Sequence, residues 1–324
     1  MHIPDGYLSP RTCAVFFTAM APLWYIASRK VEKNLKLKQL PLLALGAAFT
    51  FVIMMFNIPI PGGSTGHMVG GVIVAIVLGP WAGVVSLSLA LTLQAFLFGD
   101  GGVTALGANC FNMAFLMSFS GYYIYKAVTI GDCGAARRWI GSAIAAYAAV
   151  NIAALAVALE LGIQPLIAHG VDGRPLYAPY SLSISIPAMV VPHLIFFGTI
   201  EALGTALVVS YIHKYNQELL HKESGNFKPL WAILIILIIL TPIGLIATGT
   251  PWGEWGKEEI LNLVGYMPEG MDRVGESWKG ILPDYALPGI EGKAGSSIIY
   301  VISALIGSIG VVAIIYLWGK LWRK

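Results

Sequence analysis

The sequence predicts an all-α fold, a polytopic bundle of about nine transmembrane helices arranged as seven plus two. Three observations support this. Hydrophobic residues reach 57% against 11% charged, with a mean hydropathy of +0.74, well above the usage of a soluble domain. The apolar residues arrive in blocks close to the roughly 20 that cross a hydrocarbon core as a helix. Those blocks are continuously apolar, whereas the strands of a membrane barrel would alternate.

Taken in order, the blocks place spans at 11–28, 38–57, 67–79, 81–98, 104–126, 139–162, 187–212, 230–249 and 298–319. No basic residue precedes the first and no small-residue cleavage site follows it, so it is expected to stay as a membrane helix and not act as a secretory signal. Gly79-Pro80-Trp81 divides the third from the fourth, and the two are expected to form a helical hairpin although the first arm is short. After the seventh span a polar stretch at 213–227 breaks the pattern. The eighth and ninth spans flank an outer loop at 250–297 that has Gly, Pro and Trp throughout and no helical period. The composition shift marks a fusion: a seven-helix unit at 1–212, a cytoplasmic linker at 213–229 and a two-helix accessory unit at 230–324.

Charge sets the orientation. Arg29, Lys30, Lys33, Lys36 and Lys38 fill the first connection, and Lys126, Arg137 and Arg138 surround the exit of the fifth helix. Lys214, Lys222 and Lys228 follow the seventh, and Lys320, Arg323 and Lys324 end the chain. With nine crossings these cations fall on one side, which the positive-inside rule makes the cytoplasm. The amino terminus is then outside, the carboxyl terminus is cytoplasmic, and the protein is multi-pass in a prokaryotic cell (inner) membrane. Cys13, Cys110 and Cys133 lack C-x-x-C spacing and read as buried thiols. The segment Pro61-Gly62-Gly63-Ser64-Thr65-Gly66-His67 has neither the G-x-x-x-x-G-K-[ST] spacing nor a lysine, which excludes a phosphate cradle and ATP hydrolysis in this chain. No nucleic-acid partner is expected.

The chain starts Met1-His2-Ile3-Pro4-Asp5-Gly6. A free amine on Met1, the backbone nitrogen of His2 and its Nδ1 can close two fused chelate rings around one ion, placing three nitrogens in one plane. That set suits ions that accept square-planar nitrogen and displace an amide proton, Ni(II) and Cu(II) above all, and suits tetrahedral zinc poorly. Pro4 has no N–H and disfavours helical geometry at Ile3, so the arm does not run straight into a helix. The charge-derived topology puts His67, at the end of the Gly-rich segment, on the same face as this terminus, where it could supply a fourth nitrogen. Gln94, Asn109, Asn112, His193 and Glu201 are the remaining polar residues within spans, where they cost free energy and mark either a site or an interhelical contact. Asn109 and Asn112 lie three apart on one face and, with Ser64, are candidates to orient His67 or the terminus. His193 and Glu201 lie about 12 Å apart along their helix, too far to chelate one ion together. His169, His213 and His221 read as solvated or interfacial.

Met1-His2-Ile3-Pro4-Asp5-Gly6-Tyr7-Leu8, Gly63-Ser64-Thr65-Gly66-His67 and 106–113 (Leu-Gly-Ala-Asn-Cys-Phe-Asn-Met) together resemble the nickel/cobalt substrate-binding (S) components of energy-coupling factor transporters, the NikM/CbiM class. The resemblance covers 1–212, and 230–324 is similar to the small two-helix NikN-like component, with Pro283-Asp284-Tyr285 where related sequences often read Pro-Asp-Gly. It implies that an extra first helix brings the terminus into the bundle, that Met1, His2 and His67 bind Ni(II) or Co(II) as transported substrate with no organic cofactor, and that the partners are a membrane scaffold (T) subunit and two cytoplasmic ATPases. The Pro4-Asp5 form resembles the nickel branch more than the cobalt branch that feeds cobalamin synthesis. Such components slide against the scaffold on small-residue patches, and Ala44 and Ala48 form a candidate. An intramembrane metalloenzyme is the competing class, and it would need an open coordination position beside a general base.

Overall fold

The computed structural model describes residues 1–324 except 62–63, 132, 216–226, 248, 276, 291 and 322–324. Gly62 and Gly63 of the Gly-rich segment, His221 and Lys222 of the linker, Glu276 and Glu291 of the outer loop, and Arg323 and Lys324 lie outside the described residues.

Helix α1 runs Pro10–Asn34. Ser9 caps it, its Oγ accepting from Thr12 N at 3.4 Å, and Pro10 suits the first turn, where no amide donor is needed. The expectation that Arg29, Lys30 and Lys33 lie in a connection is corrected: they sit on the last two turns of α1. Arg and Lys are good helix formers, cations favour a helix carboxyl end, and Arg29 pairs with Glu32 at 3.1 Å.

Helix α2 (Leu40–Met54) leads into a hairpin of β1 (Ile58–Ile60) and β2 (Ser64–Gly66), paired antiparallel with Pro59 opposite Thr65. Helix α3 is only Gly71–Leu78. The third span is therefore not the helix expected over 67–79. His67 to Gly70 lie outside any helix, and Gly70, directly before α3, takes a left-handed φ of 74°. The buried backbone amides of this segment are satisfied from α7, where the Glu201 carboxylate accepts from Val69 N at 2.7 Å and Gly70 N at 2.8 Å.

Helix α4 (Pro80–Leu93) ends in a π turn, Gln94–Phe98. Helix α5 spans 106–128, opening as Leu106–Asn109 and passing through a second π turn, Cys110–Leu116. Helix α6 is Ala135–Gly162. Helix α7 runs Leu182–Pro192, a third π turn at His193–Phe197, then Gly198–Tyr215. Helix α8 (Lys228–Leu240) tightens into a 3-10 stretch, Thr241–Ile246. The outer segment is not helix-free as its composition predicts: it holds α9 (Lys257–Val264) and α10 (Glu269–Val274). Helix α11, Lys293–Leu321, closes the chain.

Among the described residues, six helical stretches are long and apolar enough to cross a membrane: 37–54, 80–98, 135–167, 182–215, 228–246 and 293–321. Helix α7 packs on α6, α6 on α5, and α1 on α4 and α5, while α8 and α11 pack on α2. Gly307 of α11 leaves room for the Phe51 ring of α2, with which a Cβ would collide. Tyr300 donates to Met55 O at 2.8 Å, tying α11 to the top of α2.

Candidate metal centre

The first nine residues fold back into the bundle. Met1, His2 and Ile3 are 7%, 4% and 0% exposed. The arm is held residue by residue. Ile3 N donates to Asn109 Oδ1 at 2.8 Å, and Asn109 Nδ2 donates back to Ile3 O at 3.1 Å. Gly102 N adds a bond to the same carbonyl at 2.8 Å. The Asp5 carboxylate accepts from Val103 N at 3.1 Å and Thr104 N at 2.7 Å, and from the Thr104 hydroxyl. A Cβ on Gly102 would collide with the Asp5 backbone, so the loop after α4 can lie against the arm only as glycine. Tyr7 donates to Trp255 O at 2.9 Å, and Ser9 N donates to Gln164 Oε1 at 3.0 Å.

The arm delivers His2 to His67, with His2 Nδ1 3.3 Å from His67 Nε2. His67 Nδ1 lies 3.1 Å from Met68 O; a carbonyl only accepts, so Nδ1 carries the proton and Nε2 presents a lone pair to His2. Asp100 Oδ1 also lies 3.3 Å from His2 Nδ1. An imidazole nitrogen faced by a lone pair and a carboxylate oxygen is where a cation gains most. At metal–nitrogen bonds of about 2.0 Å, adjacent corners of a plane are about 2.8 Å apart, so the two imidazoles need close by only a few tenths of an ångström.

Burial, then the charged terminus, hold the His2 imidazole down at about 3, with Gln94 pulling the other way. His67 is held well below the usual imidazole range by burial, the terminus and His2. Both rings are neutral at physiological pH and offer lone pairs without proton competition. The Met1 amine lies 3.3 Å from Glu254 Oε1 of the outer segment. Burial pushes Glu254 up to about 7, against the pull of that amine. Among the described residues no three His, Cys, Asp or Glu side chains form a metal-binding group.

The sequence candidates divide. His2, His67 and Met1 converge. Asn109 grips the arm's backbone. Ser64 Oγ accepts from Trp252 N at 3.1 Å and so holds the outer segment over the hairpin without touching an imidazole. Asn112 lies away from the arm and donates to Glu160 at 2.9 Å between α5 and α6; its interhelical reading is the one the geometry supports. Ala44 and Ala48, the candidate scaffold-docking patch, are both 0% exposed inside the chain.

Sequence reasoning missed Glu254, Asp100, Asp5 and Tyr285. Tyr285 reaches in from the accessory unit, donating to Asp100 Oδ2 and stacking on Phe98 at 4.6 Å. Gln94 Nε2 lies 3.2 Å from Tyr285 Oη and 3.4 Å from Asp100 Oδ2. The Asp100 signal was its place in Gly99-Asp100-Gly101-Gly102, directly after an apolar helix.

Residues 2–219 match the family model described as cobalt uptake substrate-specific transmembrane region, named CbiM. The chain belongs to the CbiM family. Residues 228–324 match the PDGLE domain, so this CbiM chain carries a second conserved module. The fused nickel transport protein NikMN of Rhodobacter capsulatus is 46% identical over 334 residues, covering 97% of this chain and 95% of that one. The cobalt transport protein CbiM of Thermosipho melanesiensis is 33% identical over 229 residues, covering 69% and 91%. A crystal structure of a transition metal transporter is 52% identical with a TM-score of 0.63, covering 68% of this chain and 97% of that one. The resemblance drawn from the terminal motif is borne out, and these relatives are transporters, not enzymes. The chain is a multi-pass membrane protein of a prokaryotic family.

Proposed function

We propose that this protein is the substrate-binding component of an ATP-driven nickel importer, taking the ion at the outer face into a planar site of four nitrogens. These are the Met1 amine, the His2 backbone nitrogen, His2 Nδ1 and His67 Nε2. The observation that carries the reading is the buried approach of His2 Nδ1 to His67 Nε2 at 3.3 Å, made by an arm whose next residue is clamped through its backbone by Asn109. A second observation supports it. His2 Nε2 and Gln94 Oε1 are both buried without a hydrogen-bond partner, and Gln94 stands beside the His2 ring. Giving Nδ1 to a metal puts the ring proton on Nε2, which then has Gln94 to receive it, as metal-bound imidazoles require.

The donor set favours Ni(II) over Co(II), since nickel lies higher in the affinity order and takes square-planar nitrogen coordination. A cobalt importer serving cobalamin synthesis is the second reading, favoured by the family's description as a cobalt uptake region. The seven-plus-two division at 1–212, 213–229 and 230–324, with nine crossings and the amino terminus outside, is supported by one feature of the packing. The arm, His67, the 99–105 loop and the outer segment all meet at one end of the bundle. ATP hydrolysis falls to two cytoplasmic ATPases that act through a membrane scaffold subunit and turn the site inward.

The test compares the full chain with a native terminus against one extended by a few residues, measuring bound nickel by mass spectrometry. The extension blocks the amine and is expected to abolish tight stoichiometric binding. Retention of both in the extended chain refutes the amine as a ligand.

A further inference from the structure

The three ligand-bearing residues are buried, so an ion cannot reach them directly from solvent. A cavity of about 20 Å³ adjoins them, room for one water-sized occupant. Met1 and Thr65 to His67 line one side of it, and Met189, Pro192 and His193 of α7 line the other, with Pro251 and Trp252 of the outer segment as its cover.

His193 is shaped for a role there. It opens the π turn of α7, a local defect that concentrates at functional sites. Its backbone N–H bonds Val190 O instead of the carbonyl four residues back. That freed carbonyl, Met189 O, is taken by the imidazole, with Nδ1 2.7 Å away. A carbonyl only accepts, so Nδ1 carries the proton and Nε2 keeps its lone pair. Phe197, with its ring centroid 5.1 Å from that of His193, fills the space against Gly66 and fixes the ring from behind. The cavity also has a buried polar group without a hydrogen-bond partner, the Thr65 hydroxyl. An imidazole lone pair and an orphaned hydroxyl beside His67 make a small polar chamber in which the single water-sized space can be taken by a divalent transition-metal ion.

We infer that His193 is a metal ligand of an antechamber, the place where an arriving nickel or cobalt ion exchanges a water for imidazole before passing to His67 and the arm. The inference rests on the reading of Met1, His2 and His67 as the resting site. The exchange needs no redox partner: His193 Nε2 and the Thr65 hydroxyl oxygen each replace a water on the ion, the released waters leave to solvent, and His67 then takes the ion from His193. The amine and amide protons leave only when the arm closes on the metal. Staging an ion through a second, weaker site speeds arrival and departure alike without changing where it rests.

The experiment is stopped-flow loading of the full, native-terminus chain in lipid nanodiscs with NiCl2 alone, followed by tryptophan fluorescence, alongside the absorption band of planar Ni(II) and equilibrium stoichiometry. His193→Gln can keep a donor to Met189 O but is a poor ligand. It is expected to keep stoichiometry, band and affinity while loading and release both slow by about tenfold, the low end of the loss for a group that supports a metal site. His193→Met, which returns a soft donor to the chamber, is expected to recover most of the rate. Thr65→Val is expected to slow loading by a smaller factor with the band unchanged. The inference is overturned if His193→Gln loads at the wild-type rate, if it loses the planar band, or if His193→Met fails to recover, since the last two mark a resting ligand or a packing role. A wild-type chain that shows no planar nickel band instead sinks the resting site on which the inference stands.

Discussion

Asn109 is where the arm's geometry can be broken most cleanly. Its amide makes two bonds to one residue, accepting from Ile3 N and donating to Ile3 O, and the side chain is 2% exposed. Asn109→Leu keeps the volume and removes both partners. Ile3 O retains Gly102 N, but Ile3 N is left buried without an acceptor. An orphaned donor costs about 1–3 kcal/mol and the lost second bond about 1 kcal/mol more, so docking of the arm weakens by about 2–4 kcal/mol. At 1.4 kcal/mol per factor of ten, nickel affinity falls by about 30- to 700-fold. Asn109→Asp keeps the acceptor for Ile3 N but sets a lone pair against Ile3 O, so its loss should fall at or above the upper end. Equilibrium nickel titration of both variants, with mass spectrometric stoichiometry, is the assay. Asn109→Leu within about threefold of wild type would refute the claim that the clamp positions the chelate.

Three further outcomes are expected. Gln94→Leu removes the acceptor for the His2 Nε2 proton and should weaken nickel by about 10- to 100-fold while leaving fold and stoichiometry intact, as read by titration and circular dichroism. Tyr285→Phe deletes the hydroxyl that donates to Asp100; one charge-assisted bond, about 1.5–3 kcal/mol, is lost from the network beside His2, and a thermal-shift assay without metal should detect it. In a Glu254→Gln chain without metal, which removes the one carboxyl raised into this range beside the amine, arm docking should be independent of pH above the ordinary imidazole value of 6.5. His2 is depressed to about 3 in the docked state, so the released arm binds the proton first. Docking therefore weakens as pH falls from 6.5 towards 3, by up to about tenfold per unit, and His67 adds in the same direction. Protease access to the 1–9 segment against pH would read it, and docking that strengthens on acidification would refute the assignment.

The proposed ligand set was legible because chelation by a terminus is local chemistry: amine, amide and imidazole lie within two residues, and ring closure follows from covalent geometry. The partnership with His67 was legible through charge, since the positive-inside rule brought the two to one face. What holds the arm was not. Asp5 looks like an ordinary turn carboxylate until Val103 and Thr104 aim their amides at it. Glu254 lay among many acids in a segment without periodicity, and its pairing with Met1 spans 253 residues. The short α3 was concealed because buried non-helical backbone and a helix show the same continuous apolar run. The Glu201 carboxylate on Val69 and Gly70 supplies the acceptors that such backbone lacks.

The accessory unit is bound into the site by more than proximity. Asp284 and Tyr285 both hold positive φ, 52° and 59°, a conformation that costs a residue with a Cβ about 1–3 kcal/mol and persists only when its surroundings over-determine it. Here the surroundings are the site: Tyr285 stacks on Phe98 and donates to Asp100, Asp100 faces His2, and Gln94 stands between them. From the same unit, Glu254 meets the Met1 amine and Trp255 O receives Tyr7. The planar cage proposed for the metal would have no stiffness of its own, because three of its four nitrogens hang on one chain end. Rigidity has to be imposed from outside, by Asn109 and Asp5 partners below and by the accessory segment above. That requirement gives a physical reason for the two units to share one chain, since a tether keeps the upper wall at high effective concentration over the arm.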